Sequence, residues 1–305
     1  MFEKLISWEM ALRGGSVRAR AGKLIRKVWP DFMLADVLLR TVGSHKQVMV
    51  NGRRMFVDMR DSAVATHLFT TGTWEPEETK LVSNLLKEGN VFVDVGANIG
   101  YFTLLASAAV GKTGKVFAFE PEPNNYSLLQ KNVKVNRCGN VNCERKAVTN
   151  ADQLLELHLS DFNYGDHRIY QSHDDEGYNH GHERVRTQIQ GVALDNYFSP
   201  GTRIDLLKMD VQGAEYFALQ GMKRLLNDNP HIILILEFWP HGLQQAGIQP
   251  TSLLQELADL GFLAHRLENE TLLPWPWQDI SQTPEGDAPS MILSRKKLAI
   301  ARASA

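Results

Sequence analysis

Val91-Phe-Val-Asp-Val-Gly-Ala-Asn-Ile-Gly-Tyr-Phe-Thr103 is an apolar β-type run that carries Asp94 near its end, breaks into a Gly96-x-Asn98-x-Gly100 turn and continues as a helix. A strand, a glycine turn and a helix in that order make a cradle for a nucleotide-type cofactor. About twenty residues on, Lys115-Val-Phe-Ala-Phe-Glu120 is a second apolar run ending in an acid, the spacing at which a strand-end carboxylate reaches the hydroxyls of a bound ribose. The two halves together predict a doubly wound α/β sheet.

The chemistry of the turn separates the cofactors. A dinucleotide brings a pyrophosphate, which needs glycines where the backbone meets the anion and a helix N-terminus aimed at it. Here Asn98 replaces the middle glycine of G-x-G-x-x-G, the last glycine comes one residue early, and Asp94 stands two residues before the first. S-adenosyl-L-methionine (SAM) has no phosphate; it offers a sulfonium cation, an ammonium group and a ribose. A strand-end acid attracts that cation and repels a pyrophosphate. Asp94, Gly96, Asn98, Gly100 and Glu120, with Asp210 further on, are the candidate cofactor-binding residues, and SAM is the expected cofactor, with NAD the alternative.

Around this centre the pattern alternates. Gln47–Val50, the turn Asn51-Gly52 and Met55–Met59 predict a β-hairpin; Pro76, Glu77 and Glu78 open a helix that stops at Gly89. Strands are predicted at 91–95, 115–120, 141–148, 204–209 and 231–236, with late strands at 262–267 and 290–294. Helices are predicted near 100–109, over 124–136, over 214–226, and from a capping box at Ser252-Leu-Leu-Gln255 to Gly261. Such alternation implies parallel pairing with right-handed crossovers. A polar, aromatic and histidine-rich insert, 161–186, interrupts it, and long loops in compact domains commonly serve as functional lids. The expected organisation is a basic helical segment with the hairpin over 1–70, a cofactor-binding domain over 71–298, and a tail over 299–305.

Three stretches, Asp94-Val-Gly-Ala-Asn-Ile-Gly-Tyr101, Phe119-Glu-Pro-Glu-Pro123 and Lys208-Met-Asp-Val-Gln-Gly-Ala-Glu215, resemble in order and spacing the FkbM family of SAM-dependent methyltransferases. The resemblance runs from about Gly72 to Glu237, with Gln212 standing where many relatives carry Glu. It implies a class I methyltransferase fold, a Rossmann-like doubly wound and mostly parallel sheet of seven strands. It also implies SAM as methyl donor and transfer to a hydroxyl oxygen of a sugar, lipid or secondary metabolite.

In-line displacement at a methyl group depends on positioning, and a hydroxyl acceptor gains from a general base within hydrogen-bond reach. Asp210 and Glu237 follow strand ends, and His167 lies in Gly165-Asp-His-Arg168 with Asp166 and Arg168 as candidate orienting or substrate-binding neighbours. Asp210 is the first choice, ahead of Glu237, His167 and His241. A divalent metal on Asp210 and Glu237, or on His173, His180 and His182, is conceivable, but neither set has diagnostic ligand spacing, so no metal is expected. The acceptor is expected to be a small molecule or a glycan. Nitrogen methylation of protein or nucleic acid is the alternative, disfavoured because Met-Asp-Val-Gln differs from an Asn/Asp-Pro-Pro-Tyr type motif and no broad basic stripe marks the domain; so is a non-catalytic SAM-binding module.

Composition bounds the rest. The chain has 305 residues, 43% of them hydrophobic, and a formal charge of −2, ample for a packed core and without global attraction to nucleic acid or anionic membrane. Cys138 and Cys143 are too few for a zinc site or a disulfide framework. No apolar run reaches membrane-spanning length and no secretory signal is evident, so the expected location is the cytoplasm. Residues 1–30 interleave Lys4, Arg13, Arg18, Arg20, Lys23, Arg26 and Lys27 with apolar residues; the pattern suits contact with a membrane surface or a partner, the plainer expectation being a helix packed on its own domain. The oligomeric state is not legible.

Overall fold

The computed structural model describes residues 44–161, 163–171 and 184–298. The chain divides after His45, and the described residues from Lys46 onward belong to one compact unit. The basic segment 1–30, His173, His180, His182 and the tail fall outside the described residues.

The hairpin forms from β1 (His45–Val50) and β2 (Arg53–Asp58), with Asn51 and Gly52 both at positive φ (48° and 73°), the pair a type I′ turn requires. Next come α1 (Val64–Thr71), α2 (Pro76–Leu85), β3 (Val91–Val95), α3 (Tyr101–Ala109), β4 (Lys115–Phe119), α4 (Pro123–Val135), β5 (Val141–Glu144), β6 (Ala147–Val148), β7 (Leu154–Leu159), β8 (Val185–Val192) and α5 (Leu194–Tyr197). The chain continues through β9 (Leu206–Met209), α6 (Glu215–Gln220), α7 (Lys223–Asp228), β10 (Ile233–Glu237), α8 (Pro240–Gln245) and α9 (Pro250–Asp259). It closes with β11 (Leu263–Glu268), β12 (Thr271–Pro274), α10 (Trp277–Ile280) and β13 (Ser290–Ser294).

The main sheet has the order β12-β11-β13-β10-β9-β3-β4-β5. Strands β10, β9, β3, β4 and β5 pair in parallel, and β13, β11 and β12 extend the edge antiparallel. This is the expected doubly wound α/β fold. It has eight strands in the main sheet rather than seven because Asn269 and Glu270, at φ 47° and 62°, turn β11 back into β12. Strand order reverses between β3 and its neighbours β4 and β9, the switch point outside which ligands bind in open α/β sheets.

Side-chain alternation along the strands feeds two apolar layers. Phe92, Val116, Leu206, Ile235 and Ile292 pack with α2 and α3 residues on one face; Val93, Val95, Phe119, Leu207, Met209, Leu234 and Leu236 pack on the other. Central strands covered on both sides read as continuous apolar runs, which is why 91–95 and 231–236 are legible in the sequence.

Four expectations are corrected. The strand predicted over 141–148 splits: β5 closes the main sheet, whereas β6 joins a separate sheet of order β6-β8-β7. The insert leaves from this second sheet, because β7 and β8 pair antiparallel up to Leu159 and Val185, and neither strand is among those predicted. The helix predicted over 214–226 breaks at Gly221, where a Cβ would fall 2.0 Å from the Thr149 carbonyl oxygen; Asp195 then accepts from the backbone N–H groups of Arg224 and Leu225 at the start of α7. Ser252 is not a cap: α9 starts at Pro250 with Gln249 as N-cap and no side-chain cap bond, a proline at the first position needing no N–H partner. Both cysteines are free thiols. Among the described residues no helix is long and apolar enough to cross a membrane.

Candidate active site

The carboxyl ends of β3 and β4 form one wall of the crevice. Asp94 is buried and accepts a 2.5 Å hydrogen bond from the Thr103 hydroxyl; burial pushes its carboxyl up to about 6, against the pull of Thr103 and Lys208. Gly96 stands at φ 81°, and a Cβ on it would fall 2.0 Å from the Asp210 carbonyl oxygen. The turn therefore lies directly against the segment leaving β9. Asn98, itself at φ 49°, donates its backbone N–H to Glu120 Oε2 at 2.8 Å, while Glu120 Oε1 accepts from the N–H of Glu122 at 2.8 Å. Glu120 thus clasps the loops after β3 and β4, and in its ionised form each oxygen keeps a further acceptor position. Burial pushes this carboxyl up to about 8, outweighing the two backbone hydrogen bonds. Gly100, at φ 92°, opens α3 where a Cβ would meet Leu129 of α4 at 2.6 Å.

The opposite wall comes from β9 and β10. Asp210 donates its backbone N–H to Val95 at 3.1 Å, and Gln212 Nε2 donates to both Asp210 Oδ1 (2.7 Å) and Glu237 Oε2 (2.8 Å). The structure thereby brings together Asp210 and Glu237. Burial, with Asp210 and Glu215 adding like charge, holds the Glu237 carboxyl well above the ordinary carboxylate range. Glu215 is buried, accepts from the N–H groups of Val211 and Gly213 at 3.2 Å, and is pushed up to about 7 by burial.

Lys208 is a site residue that sequence reasoning missed. Its buried ammonium lies 3.5, 3.7 and 3.8 Å from carboxylate oxygens of Glu78, Glu75 and Asp210 and 4.7 Å over the Phe102 ring. Burial alone would lower its pKa, but the surrounding acids hold it above its ordinary value. A signal is present in the sequence: a lysine inside Leu206-Leu-Lys-Met209, an otherwise apolar central strand, must be paired. Glu75 and Glu78 carry no such signal, since Glu78 reads as a first-turn acid of α2 and Glu75 as the residue before its opening proline. Burial pushes Glu75 up to about 8.

The described part of the insert touches four segments around the crevice. The Tyr164 carbonyl accepts from the side-chain amides of Asn98 (3.1 Å) and Asn125 (2.8 Å), the Tyr170 hydroxyl donates to the Gln212 carbonyl at 2.7 Å, and the Arg168 guanidinium lies 4.9 Å over Trp239. Asp166 joins Arg168 and Arg184 at 2.7 and 2.8 Å in a buried ion triad. His167 is a correction. Burial lowers its pKa to about 4, and its Nδ1 accepts from the Ser160 backbone N–H at 3.0 Å. A neutral imidazole accepting at Nδ1 carries its proton on Nε2, so His167 has no lone pair with which to act as a base. Asp166 and Arg168 pair in the triad instead of orienting it.

Asp94, Glu120, Asp210, Glu237 and Glu215 thus converge on the switch point with Lys208 as the cation that the described residues place among them. Such a donor set suits a ligand bearing positive charge and hydroxyls, and disfavours a pyrophosphate. SAM fits it.

The methyltransferase FkbM domain family matches residues 94–264. Methyltransferase 1 of Beauveria bassiana is 26% identical over 148 residues, which cover 44% of this chain and 59% of that protein. A tRNA(Phe) (4-demethylwyosine(37)-C(7)) aminocarboxypropyltransferase of Methanocaldococcus jannaschii is 31% identical over 121 residues, covering 37% and 47%. The chain therefore spans about half the length of these two relatives. Among solved structures, methyltransferase FkbM of Methylobacillus flagellatus KT is similar at 15% identity and a TM-score of 0.42, over 76% of this chain and 52% of that one.

Proposed function

Because this chain belongs to the FkbM methyltransferase family, with S-adenosyl-L-methionine as its cofactor, we propose that it methylates a hydroxyl of a sugar, lipid or secondary metabolite. The observation that carries the proposal is the juxtaposition of Asp210 with the Gly96 turn at the switch point. When bound, SAM supplies a methyl group on a sulfonium leaving group. Asp94, Gly96, Asn98 and Gly100 shape its cradle, and Glu120 uses its spare acceptor positions for the ribose hydroxyls.

Asp210 serves as general base. Its side chain keeps 28% exposure to the crevice, whereas burial and the neighbouring acids favour the protonated form of Glu237, which acts as a hydrogen-bond donor or orienting group. The acceptor side is a cleft of about 830 Å3 lined by Glu75, Glu78, Arg266, Trp275, Asp287 and Ser290. Ser290 pairs with Glu237 across β10 and β13, so the cleft adjoins the acid pair. An aromatic ring among carboxylates suits a polyhydroxylated ligand, by stacking and hydrogen bonding.

Calorimetric titration with SAM, S-adenosylhomocysteine (SAH) and NAD tests the cofactor; heat with NAD alone would overturn the reading. Labelled-methyl transfer from SAM into cell extract, fractionated into lipid, glycan, small-molecule, protein and RNA pools, tests the acceptor. Label confined to protein or RNA would replace hydroxyl methylation with the alternative.

A further inference from the structure

One side-chain nitrogen holds both acids of the candidate catalytic pair. Gln212 Nε2 has two hydrogens, and the geometry gives one to Asp210 Oδ1 and the other to Glu237 Oε2, at 2.7 and 2.8 Å. Two carboxyl groups cannot share one nitrogen by packing alone, because the amide must be turned to face both. Its backbone enforces that direction. Gln212 sits in the left-handed region at φ 54° and is followed by Gly213 at φ 95°, a conformation disfavoured for a residue with a Cβ. The Tyr170 hydroxyl secures it from the insert by donating to the Gln212 carbonyl at 2.7 Å. A Cβ on Gly213 would fall 2.5 Å from that hydroxyl and 2.6 Å from the Gly242 carbonyl oxygen, so neighbours close on the turn from two sides.

The pair is otherwise surrounded by titratable groups: Lys208 on β9, Asp94 on β3, Glu75 at the N-cap of α2, Glu78 within it, Glu215 from α6, and Tyr170 from the insert. Among these, Gln212 is the neutral donor that touches both acids. Replacing it by glutamate would put a third carboxyl group between two others.

We propose that Gln212 is a positioning residue: its amide, latched by Tyr170, holds the Asp210 carboxyl group facing the crevice as the general base and fixes Glu237 beside it. The assignment of the base rests on the function proposed above; the bridge itself does not.

Two arms test it on the full chain. The first needs no substrate. Carboxyl-labelled glutamate in Gln212→Glu is followed by NMR through a pH titration of the ligand-free protein, and the introduced carboxyl is expected to titrate two or more pH units above an exposed glutamate. Titration in the ordinary range would refute the bridge. The second arm uses labelled-methyl transfer from SAM into the extract fraction that the unaltered protein modifies. Gln212→Leu is expected to lower kcat tenfold or more at every pH, with SAH affinity by calorimetry unchanged within threefold. Gln212→Glu is expected to regain activity relative to the unaltered protein by tenfold or more between pH 8.5 and pH 6, because its protonated form again presents a hydrogen to the pair. A structural role alone would not produce that pH-dependent rescue. A flat ratio across pH, or Gln212→Leu within twofold of the unaltered protein, would overturn the proposal. Absence of label in every fraction would overturn the methyltransferase reading instead, and the NMR arm would still decide the bridge.

Discussion

Gly96→Ala is the substitution the structure singles out most sharply. At φ 81° an alanine is strained by about 1–2 kcal/mol. Steric overlap adds more: the new Cβ lies 2.0 Å from the Asp210 carbonyl oxygen and 3.0 Å from its carbon, roughly 1.5 Å short of ordinary contact. Relief requires the loops after β3 and β9 to separate, which breaks the 3.1 Å bond from the Asp210 N–H to Val95 and costs about 1–3 kcal/mol for a stranded buried group. The sum is roughly 2–5 kcal/mol, a large part of the ~5–15 kcal/mol that holds a domain folded. Gly52→Ala is the control, because Gly52 has nearly the same φ, 73°, but nothing within 4 Å of its Cβ position; it should lose only the ~1–2 kcal/mol of conformational strain. Urea unfolding of both variants measures the difference, and SAH calorimetry measures the consequence, a loss of affinity of about tenfold or more as Asp210 is displaced from the turn. Equal destabilisation of the two variants, or full SAH affinity in Gly96→Ala, would refute the close approach of the two loops.

Three further outcomes follow from the same geometry. Glu120→Ala removes the acceptor for the N–H groups of Asn98 and Glu122 and should weaken SAH binding by about tenfold or more, read by calorimetry; unchanged affinity would exclude Glu120 from the cradle. Asp210→Asn should lower labelled-methyl turnover by about 10²–10⁴-fold with SAH affinity little changed, and full turnover would place the base elsewhere. Ligand-free stability should fall between pH 6.5 and 8.5. Glu215 and Glu120 have folded pKa values of about 7 and about 8 against ordinary values of 4.5, so the stability they carry is complete below about 4.5 and is lost as pH rises through 7 and 8. Each contributes a slope of up to about 1.4 kcal/mol per pH unit. His167 works in the opposite sense, but its gain is complete above its ordinary 6.5. Urea midpoints at three pH values check this, and a constant or rising midpoint would contradict the buried-acid cluster.

The doubly wound core and the glycine turn after β3 are legible in the order of the residues. Apolar runs at 91–95, 115–119 and 233–236 are required wherever a parallel strand is covered on both faces, and Gly96 and Gly100 are required wherever φ is positive and another chain segment lies within contact distance. These are local demands, and they leave a local trace. The partners of the acids, by contrast, become visible only in three dimensions. Nothing in Gly165-Asp-His-Arg168 shows that Asp166 and Arg168 would turn to Arg184, or that Ser160 would occupy His167 Nδ1. Nothing around Gln212 shows that its amide would join two acids 2 and 25 residues away. Gly221 is tolerable inside a helix by its local sequence, yet folding brings Thr149 within 2.0 Å of its Cβ position. A side chain's charge state and direction depend on partners that folding delivers from distant positions, and a periodicity of two or 3.6 residues carries no record of them.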